Sequence, residues 1–381
     1  AIIDIKKDLV EESILVVKKL NSSFLLVQGP PGSGKTYTSA KIILSLLKDN
    51  KKVGITSNSH KAINNLLTQI EELAEEENFT FKGLKKSSKE EQRLNGKIIE
   101  DVSGRMKEFP KDYLLHAGTA WLFSDPRYDL KMDYLFVDEA GQVALANTLA
   151  IATSTKNIIL IGDQMQLSQP IQGIHSGNSG KSALDFLLEG EDTIPVSRGI
   201  FLSETRRLNK NICDYISSSF YDFRLKPHPV TSERSLELDL KNIKNEGIVF
   251  LPTDHKDCTQ KSDEEAKIIK DYYSKIIGKG SIDDGKNKKI TQDDIMVVTP
   301  FNMQVNNLKK IINQNEAKIG TIDKFQGQQS KVVFISMTSS DPENLPRHKE
   351  FFFSRNRLNV GISRAQSLAI ILFNPSLLLA N

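Results

Sequence analysis

One octapeptide constrains this chain more than any other feature. Residues 29–36 read Gly-Pro-Pro-Gly-Ser-Gly-Lys-Thr, a full match to G-x-x-x-x-G-K-[ST]. An apolar run at 24–28 precedes it and a helix-compatible stretch at 35–47 follows. That strand–loop–helix context is what the motif needs to cradle phosphates. Glycines let backbone N–H groups curl inward, and the helix N-terminus adds positive potential. Gly29, Gly32 and Gly34 are expected to shape the loop, Lys35 to reach the β- and γ-phosphates of ATP, and Thr36 to hold Mg²⁺. A chain built around such an element is expected to be α/β with parallel sheets.

The pattern elsewhere agrees. Apolar runs at 24–28, 53–56, 134–138 and 157–162 read as buried parallel strands, separated by helical stretches such as 35–47 and 61–73. A second series of strands is expected at 200–203, 248–251, 295–299, 332–337 and 368–373. Helices near 209–220, 263–277 and 303–313 alternate with them. Two α/β domains follow, 1–197 and 198–381, with the break near 195–198. Two stretches do not fit the alternation. Residues 78–112 are polar and basic, and read as an insertion that is either a solvated excursion or a nucleic-acid contact; residues 278–290 read as a flexible loop.

Other strand ends carry chemistry. The run 134–138 ends in Asp138 and Glu139; Asp138 is placed to hold Mg²⁺ and Glu139 to orient or deprotonate water. The run 157–162 opens onto Asp163-Gln164-Met165-Gln166, where a glutamine can sense a γ-phosphate. The second half has no phosphate loop, but has Arg206, Arg207, Arg355, Arg357 and Arg364 at element edges. Arginine supplied by a neighbouring lobe is one way to neutralise a phosphoryl-transfer transition state.

Bulk properties exclude several classes. Net charge is only +3, so a nucleic-acid surface must be a local stripe. No apolar run approaches the ~18 residues of a membrane span, and Lys6, Lys7, Asp8, Glu11 and Glu12 break up any signal peptide. Cys213 and Cys258 share no pairing motif and the histidines no metal spacing, which fits a reducing cytoplasm. The first residue is Ala1 rather than Met, so the chain is expected to be a piece of something longer.

Taken in order, the motifs resemble those of superfamily 1 helicases, in the subgroup containing the helicase of nonsense-mediated RNA decay. They are GPPGSGKT (29–36), SNSHKAINNLL (57–67), VDEAGQ (137–142), LIGDQMQLSQP (160–170), LSETRRLN (202–209), VVTPFNMQV (297–305), GTIDKFQGQQ (320–329) and RLNVGISRAQ (357–366). SHKAINNLL, HAGTAWLFS (116–124) and FFSRNRLNVGISRAQ (352–366) look closest to a bacterial branch joining a RecB-like nuclease to such a helicase. The resemblance implies two tandem RecA-like domains that hydrolyse ATP in the cleft between them and act on single-stranded DNA or RNA, travelling 5′ to 3′. It implies Gln166 as γ-phosphate sensor and Arg207 and Arg364 as arginine fingers. It places Gln326 and Gly327 where the family couples ATP to the strand, and Ser59, Thr119, Thr299 and Thr321 on the nucleic-acid backbone. A nuclease module would lie N-terminal to this chain.

Three departures stand out. Arg206 replaces the family's tyrosine, Gln329 its acidic residue, and no glutamine motif precedes the phosphate loop, since Gln28 is not that motif. Two other readings stay open: an ATP-gated nucleic-acid clamp or switch without unwinding, and a P-loop enzyme for a small molecule.

Overall fold

The computed structural model describes residues 2–4, 7–104, 106–169, 176–283, 285–313, 316–325, 327–341 and 353–379. Contacts divide the chain into two units. The first is Ala1–Pro30, Gly34–Gln164 and Ser168–Leu202; the second is Ser203–Asn381 with the short segments Pro31–Ser33 and Met165–Leu167.

In the first unit, eight strands form one sheet: β1 (Phe24–Gln28), β2 (Val53–Thr56), β3 (Gly83–Lys86), β4 (Ile99–Val102), β5 (Leu115–Ala117), β6 (Met132–Val137), β7 (Thr155–Gly162) and β8 (Gly199–Phe201). Their order is β4-β3-β5-β2-β6-β7-β1-β8, and every pairing is parallel. β2 is buried along its whole length and β1 everywhere but its first residue, which is why they read as unbroken apolar runs. Helices Lys35–Lys48 and His60–Glu76 pack on each other, and their apolar stripes, with Ile42, Leu46, Ile63, Leu67 and Ile70, join Val27, Ile55 and Phe136 in one core.

Two expectations change here. The segment 78–112 is not an excursion: it supplies β3 and β4, which extend the sheet by two strands. It looked polar because Lys82, Lys89, Arg93 and Lys97 face solvent while a few other charges are satisfied inside. Lys85, wholly buried, donates to Ser87 Oγ at 3.0 Å and to the Gln92 carbonyl, and burial pushes its ammonium pKa down. Asp101 accepts from the amides of Leu94 and Asn95, both at 2.9 Å from its Oδ2, and Glu71 accepts from Ile98 and Ile99, both at 2.8 Å. The first unit also extends past the expected break at 197/198. The strand expected at 200–203 in the second half is β8, and it pairs with β1 through Leu26↔Gly199 and Val27↔Ile200. Partner choice between parallel strands depends on tertiary contacts, so periodicity alone puts β8 on the wrong side.

β5 carries a titration device. His116 is wholly buried; its Nε2 donates to the Tyr113 carbonyl at 3.0 Å and its Nδ1 meets the Tyr128 hydroxyl at 3.2 Å. Burial pushes the imidazole pKa down from 6.5 to about 4. Between these values the unfolded chain binds the proton and the folded one does not, so stability falls as pH drops through this window, by up to ~3 kcal/mol. His116→Gln is expected to flatten the dependence of melting temperature on pH between 6.5 and 4. Superimposable slopes for the two proteins would assign the effect to another group.

The second unit is a five-stranded parallel sheet in the order Gly247–Pro252, Ala365–Phe373, Ser330–Ser336, Ile295–Thr299, Lys318–Thr321. Helices Asp263–Ile276 and Asn302–Ile312 put Ile269, Tyr273, Val305 and Leu308 into its core. The stretch 278–290 is not a plain loop: Gly280–Asp283 and Lys286–Lys289 form an antiparallel hairpin that pairs with Ser235–Glu237. Gly285, at φ +71°, supplies the left-handed position of its turn. The second hairpin strand is exposed throughout, which is why it carries no apolar alternation.

Candidate functional site

The phosphate-loop sequence leaves β1 and enters helix Lys35–Lys48. Gly29 N donates to the Gly162 carbonyl at 2.9 Å, which ties the loop's entrance to the end of β7. Gly34 is the helix N-cap at φ +77°, with open space where a Cβ would stand. Its conformation leaves the N–H groups of the first turn uncapped by any side chain. Lys35 lies in that turn and its Nζ donates to the Gly29 carbonyl at 2.5 Å, so its charge folds back over the loop; Thr36 is exposed beside it.

At the end of β6, Asp138 N donates to the Thr56 carbonyl at 2.8 Å. Asp138 is half-buried by its own surface, yet crowded enough that desolvation, then the adjacent Glu139 charge, raises its carboxyl pKa to about 7; Lys35 opposes the rise. Glu139 takes the left-handed conformation, φ 53° and ψ 42°. For a non-glycine residue that costs of order 1–3 kcal/mol, a strain that concentrates at functional turns. The chain tolerates no bulk around this turn: a Cβ at Gly162 would stand 2.9 Å from Gly141 N and 3.0 Å from Ala140 N, and one at Gly141 would stand 3.2 Å from the Asp163 carbonyl oxygen. Two glycines thus let the loop after β6 lie on the loop after β7. Motif reading names the acids but not these glycines, because close approach is a property of the assembled sheet.

Gln28, set aside as not the family's glutamine motif, is a buried clasp. Its Nε2 donates to Asp163 Oδ1 at 3.3 Å and to the Asp192 carbonyl at 3.0 Å, and its Oε1 accepts from Ile194 N at 2.7 Å.

Gln166 belongs with the second unit, where its carbonyl accepts from Asn356 Nδ2 at 2.6 Å and the Met165 carbonyl accepts from Asn359 Nδ2 at 2.8 Å. The tip residue Gly32, at φ +71°, also belongs there, and a side chain on it would collide with the Cβ of Arg207. Arg207 donates from Nε to Gln329 Oε1 at 2.8 Å and from a terminal nitrogen to the Ser363 carbonyl at 3.4 Å. Gln329, a departure from the family pattern, is thus a partner of Arg207. Arg206, the other departure, is exposed. Arg355 donates to the Ser219 carbonyl at 2.8 Å, and Arg357 pairs with Asp323 at 2.9 Å.

Two residues sit differently from expectation. Arg364 is 1% exposed, and its guanidinium donates to the carbonyls of Val360 at 3.1 Å and Gln328 at 3.0 Å in its own unit. It lies at the junction between helix Arg355–Ile362 and strand Ala365–Phe373, buried against the backbone of its own unit. Thr299, expected to face a strand, is wholly buried at the end of a central strand, and its hydroxyl oxygen has no hydrogen-bond partner among the described residues. Thr321, its register neighbour, is partly exposed. Ser59 is exposed but caps helix His60–Glu76, its Oγ accepting from Ala62 N at 3.1 Å; Thr119 is partly exposed after β5. Gly327 is open at φ +78°, and Gln326 lies outside the described residues.

A family model described as an AAA domain matches residues 182–376, just over half of the chain, and a second of the same description matches residues 12–171. The chain is similar to DNA polymerase alpha-associated DNA helicase A of Schizosaccharomyces pombe, at 24% identity over 92% of this chain and 60% of that protein. It is also 24% identical to the DNA replication ATP-dependent helicase/nuclease dna2 of the same organism, over 96% of this chain and 28% of that protein. A Regulator of nonsense transcripts 1 homolog of Neurospora crassa is 25% identical over 96% of this chain and 37% of its own length. Among solved structures, the Arterivirus nonstructural protein 10 (helicase) complex with DNA shares the fold, with a TM-score of 0.50 at 16% identity over 94% of this chain and 62% of that one. The chain therefore spans between 28% and 60% of the length of these curated relatives.

Proposed function

The chain belongs to the superfamily 1 helicase family, with the RecA-like α/β fold, and we propose that it is an ATP-driven motor on single-stranded nucleic acid, DNA or RNA. The observation that carries this reading is the edge of the first sheet. There a helix N-terminus with an uncapped first turn, a lysine and two adjacent carboxylates follow the C-terminal ends of β1 and β6, where parallel α/β sheets bind ligands. Relatives named as helicases match the chain over 92% and 96% of its length.

Each residue then has a role. Amides of the loop and Lys35 take the phosphates, and Glu139 receives the proton of the attacking water. Thr36 and Asp138 offer hard oxygen donors suited to Mg²⁺, which needs only one or two protein ligands beside phosphate and water. That ion supplies charge neutralisation on the phosphates when bound. Gln166 serves nucleotide sensing, Gln326 and Gly327 couple the nucleotide to the strand, Arg207 and Arg364 serve the developing charge, and Ser59, Thr119 and Thr321 the strand backbone. We extend the proposal to 5′-to-3′ travel and to a nuclease module outside this chain, which the helicase/nuclease relatives support. The relatives named here are eukaryotic, so they lend nothing to the bacterial branch. Cys213 is a buried free thiol and Cys258 a partly buried one. Among the described residues no helix is long and apolar enough to cross a membrane.

The test is the ATPase rate with single-stranded DNA, single-stranded RNA or duplex, at two salt concentrations. A single strand is expected to raise the rate several-fold, with binding that weakens in salt at a slope near −0.7 per phosphate neutralised. A rate indifferent to every nucleic acid would sink the motor reading. Stimulation without strand displacement or translocation would leave a clamp.

A further inference from the structure

The chain has a single tryptophan, Trp121, and at 87% exposure it is the least buried large hydrophobic side chain among the described residues. An indole in water forgoes the largest apolar burial any side chain can make, so a fixed, exposed one points to a ligand.

Trp121 is fixed. It lies in the short turn Ala120–Phe123, closed by Leu122 N donating to the Thr119 carbonyl at 2.9 Å and Ser124 N to that of Ala120 at 3.0 Å. The next two residues, Leu122 and Phe123, are buried, and the Phe123 ring meets Tyr128 edge-on at 5.6 Å. These anchors leave Trp121 pointing away from the core.

Its surroundings say what the ligand is. The turn follows β5, which pairs in parallel with β2 through Ile55↔Ala117, so Thr119 and Trp121 stand on the same sheet edge as Ser59. Lys86, at the end of β3, lies alongside: a Cβ on Gly118 would be 3.3 Å from that of Lys86. Exposed Lys61 and Lys89 follow the ends of β2 and β3. Hydroxyls and ammonium groups read phosphates, and an aromatic face reads a base. Leu149, 64% exposed on a helix packed against this turn, widens the apolar surface. Exposed Lys61 and Lys89 favour a polyanion over an apolar partner, whereas the Lys86 ammonium is held by the Gly104 carbonyl.

We propose that Trp121 is a stacking platform for an unpaired base of the strand held along this edge, an inference that rests on the nucleic-acid reading above. Every base has a π face, so the contact tolerates any sequence. A duplex hides its base faces, so the contact selects single strands.

Because Trp121 is the only tryptophan, its emission reports on itself. The full chain is titrated with fluorescein-labelled oligothymidylate, following anisotropy and indole emission together, and then with an abasic strand of equal length. The expected result is indole quenching that tracks anisotropy with thymidylate and is absent with the abasic strand at saturation. Trp121→Ala is expected to weaken thymidylate binding by roughly tenfold or more, and Trp121→Phe to restore most of it. Circular dichroism melting confirms that both variants fold. Saturating anisotropy with unchanged indole emission overturns the stacking role while the nucleic-acid reading stands, and leaves the patch to a protein partner. No anisotropy change with any strand overturns both.

Discussion

Glu139→Gln is expected to bind ATP about as tightly as the unaltered chain and to hydrolyse it at least ~10³-fold more slowly, about 4 kcal/mol of lost transition-state stabilisation. The substitution keeps shape and hydrogen bonding but removes the base. Nucleotide affinity rests on the loop amides and Lys35, which the change does not touch, whereas Lys35→Ala loses binding as well. A side effect through Asp138 runs the other way. Desolvation is the larger cause of its raised pKa and the Glu139 charge the second, so neutralising Glu139 makes Asp138 ionise more readily near neutral pH. A lost turnover therefore cannot be laid to a protonated Asp138. A companion variant uses the backbone. Glu139 holds φ at 53°, which glycine adopts freely, so Glu139→Gly is expected to gain ~1 kcal/mol of stability while losing turnover. The measurements are fluorescent-nucleotide titration, steady-state ATPase and thermal melting. Turnover of Glu139→Gln within tenfold of the unaltered rate would move the base elsewhere.

How much of this was legible in the sequence depends on what fixes each feature. β1, β2, β6 and β7 announce themselves because burial on both faces demands continuous apolar runs. β3 and β4, Gly-Leu-Lys-Lys and Ile-Glu-Asp-Val, do not. Their charged residues are paid for by Ser87, the Gln92 carbonyl and backbone amides that only the folded loop brings near. The buried Glu265 in the second unit is similar: it reads as an ordinary helical acid, yet it accepts from Ser336 Oγ at 2.5 Å and Thr338 N at 3.0 Å. The phosphate loop and the acid pair are legible because their chemistry prescribes residue types at fixed spacing. The left-handed turn at Glu139, the Gln28 clasp and the burial of Thr299 and Arg364 are not, because each depends on which elements become neighbours.

Arg207→Ala is expected to lower ATP hydrolysis by ~10³ or more, the usual worth of an arginine that neutralises phosphoryl-transfer charge, with little loss of stability. Its side chain is partly exposed and its shorter hydrogen bond goes to exposed Gln329, whose amide oxygen is rehydrated when the guanidinium is removed; the bond to the buried Ser363 carbonyl is the longer one at 3.4 Å. Arg364→Ala should behave differently, although both residues carry the same family role. Truncating a side chain that is 1% exposed opens a cavity and strips the Gln328 carbonyl of this donor, while the Val360 carbonyl still accepts from Ser363 Oγ at 3.4 Å. An orphaned carbonyl costs ~1–3 kcal/mol and the cavity adds to it, so the second unit should melt several degrees lower. Rates for Arg364→Ala must therefore be compared at matched folded fraction, and Arg364→Lys, which keeps charge and most of the volume, separates charge from packing. Gln329→Ala serves as the control on Arg207: it leaves the guanidinium present but unsteered, so hydrolysis should fall by less than in Arg207→Ala. Differential scanning fluorimetry and strand-stimulated ATPase read the two axes. A loss under tenfold in Arg207→Ala, with melting unchanged, would remove it from the phosphoryl-transfer step.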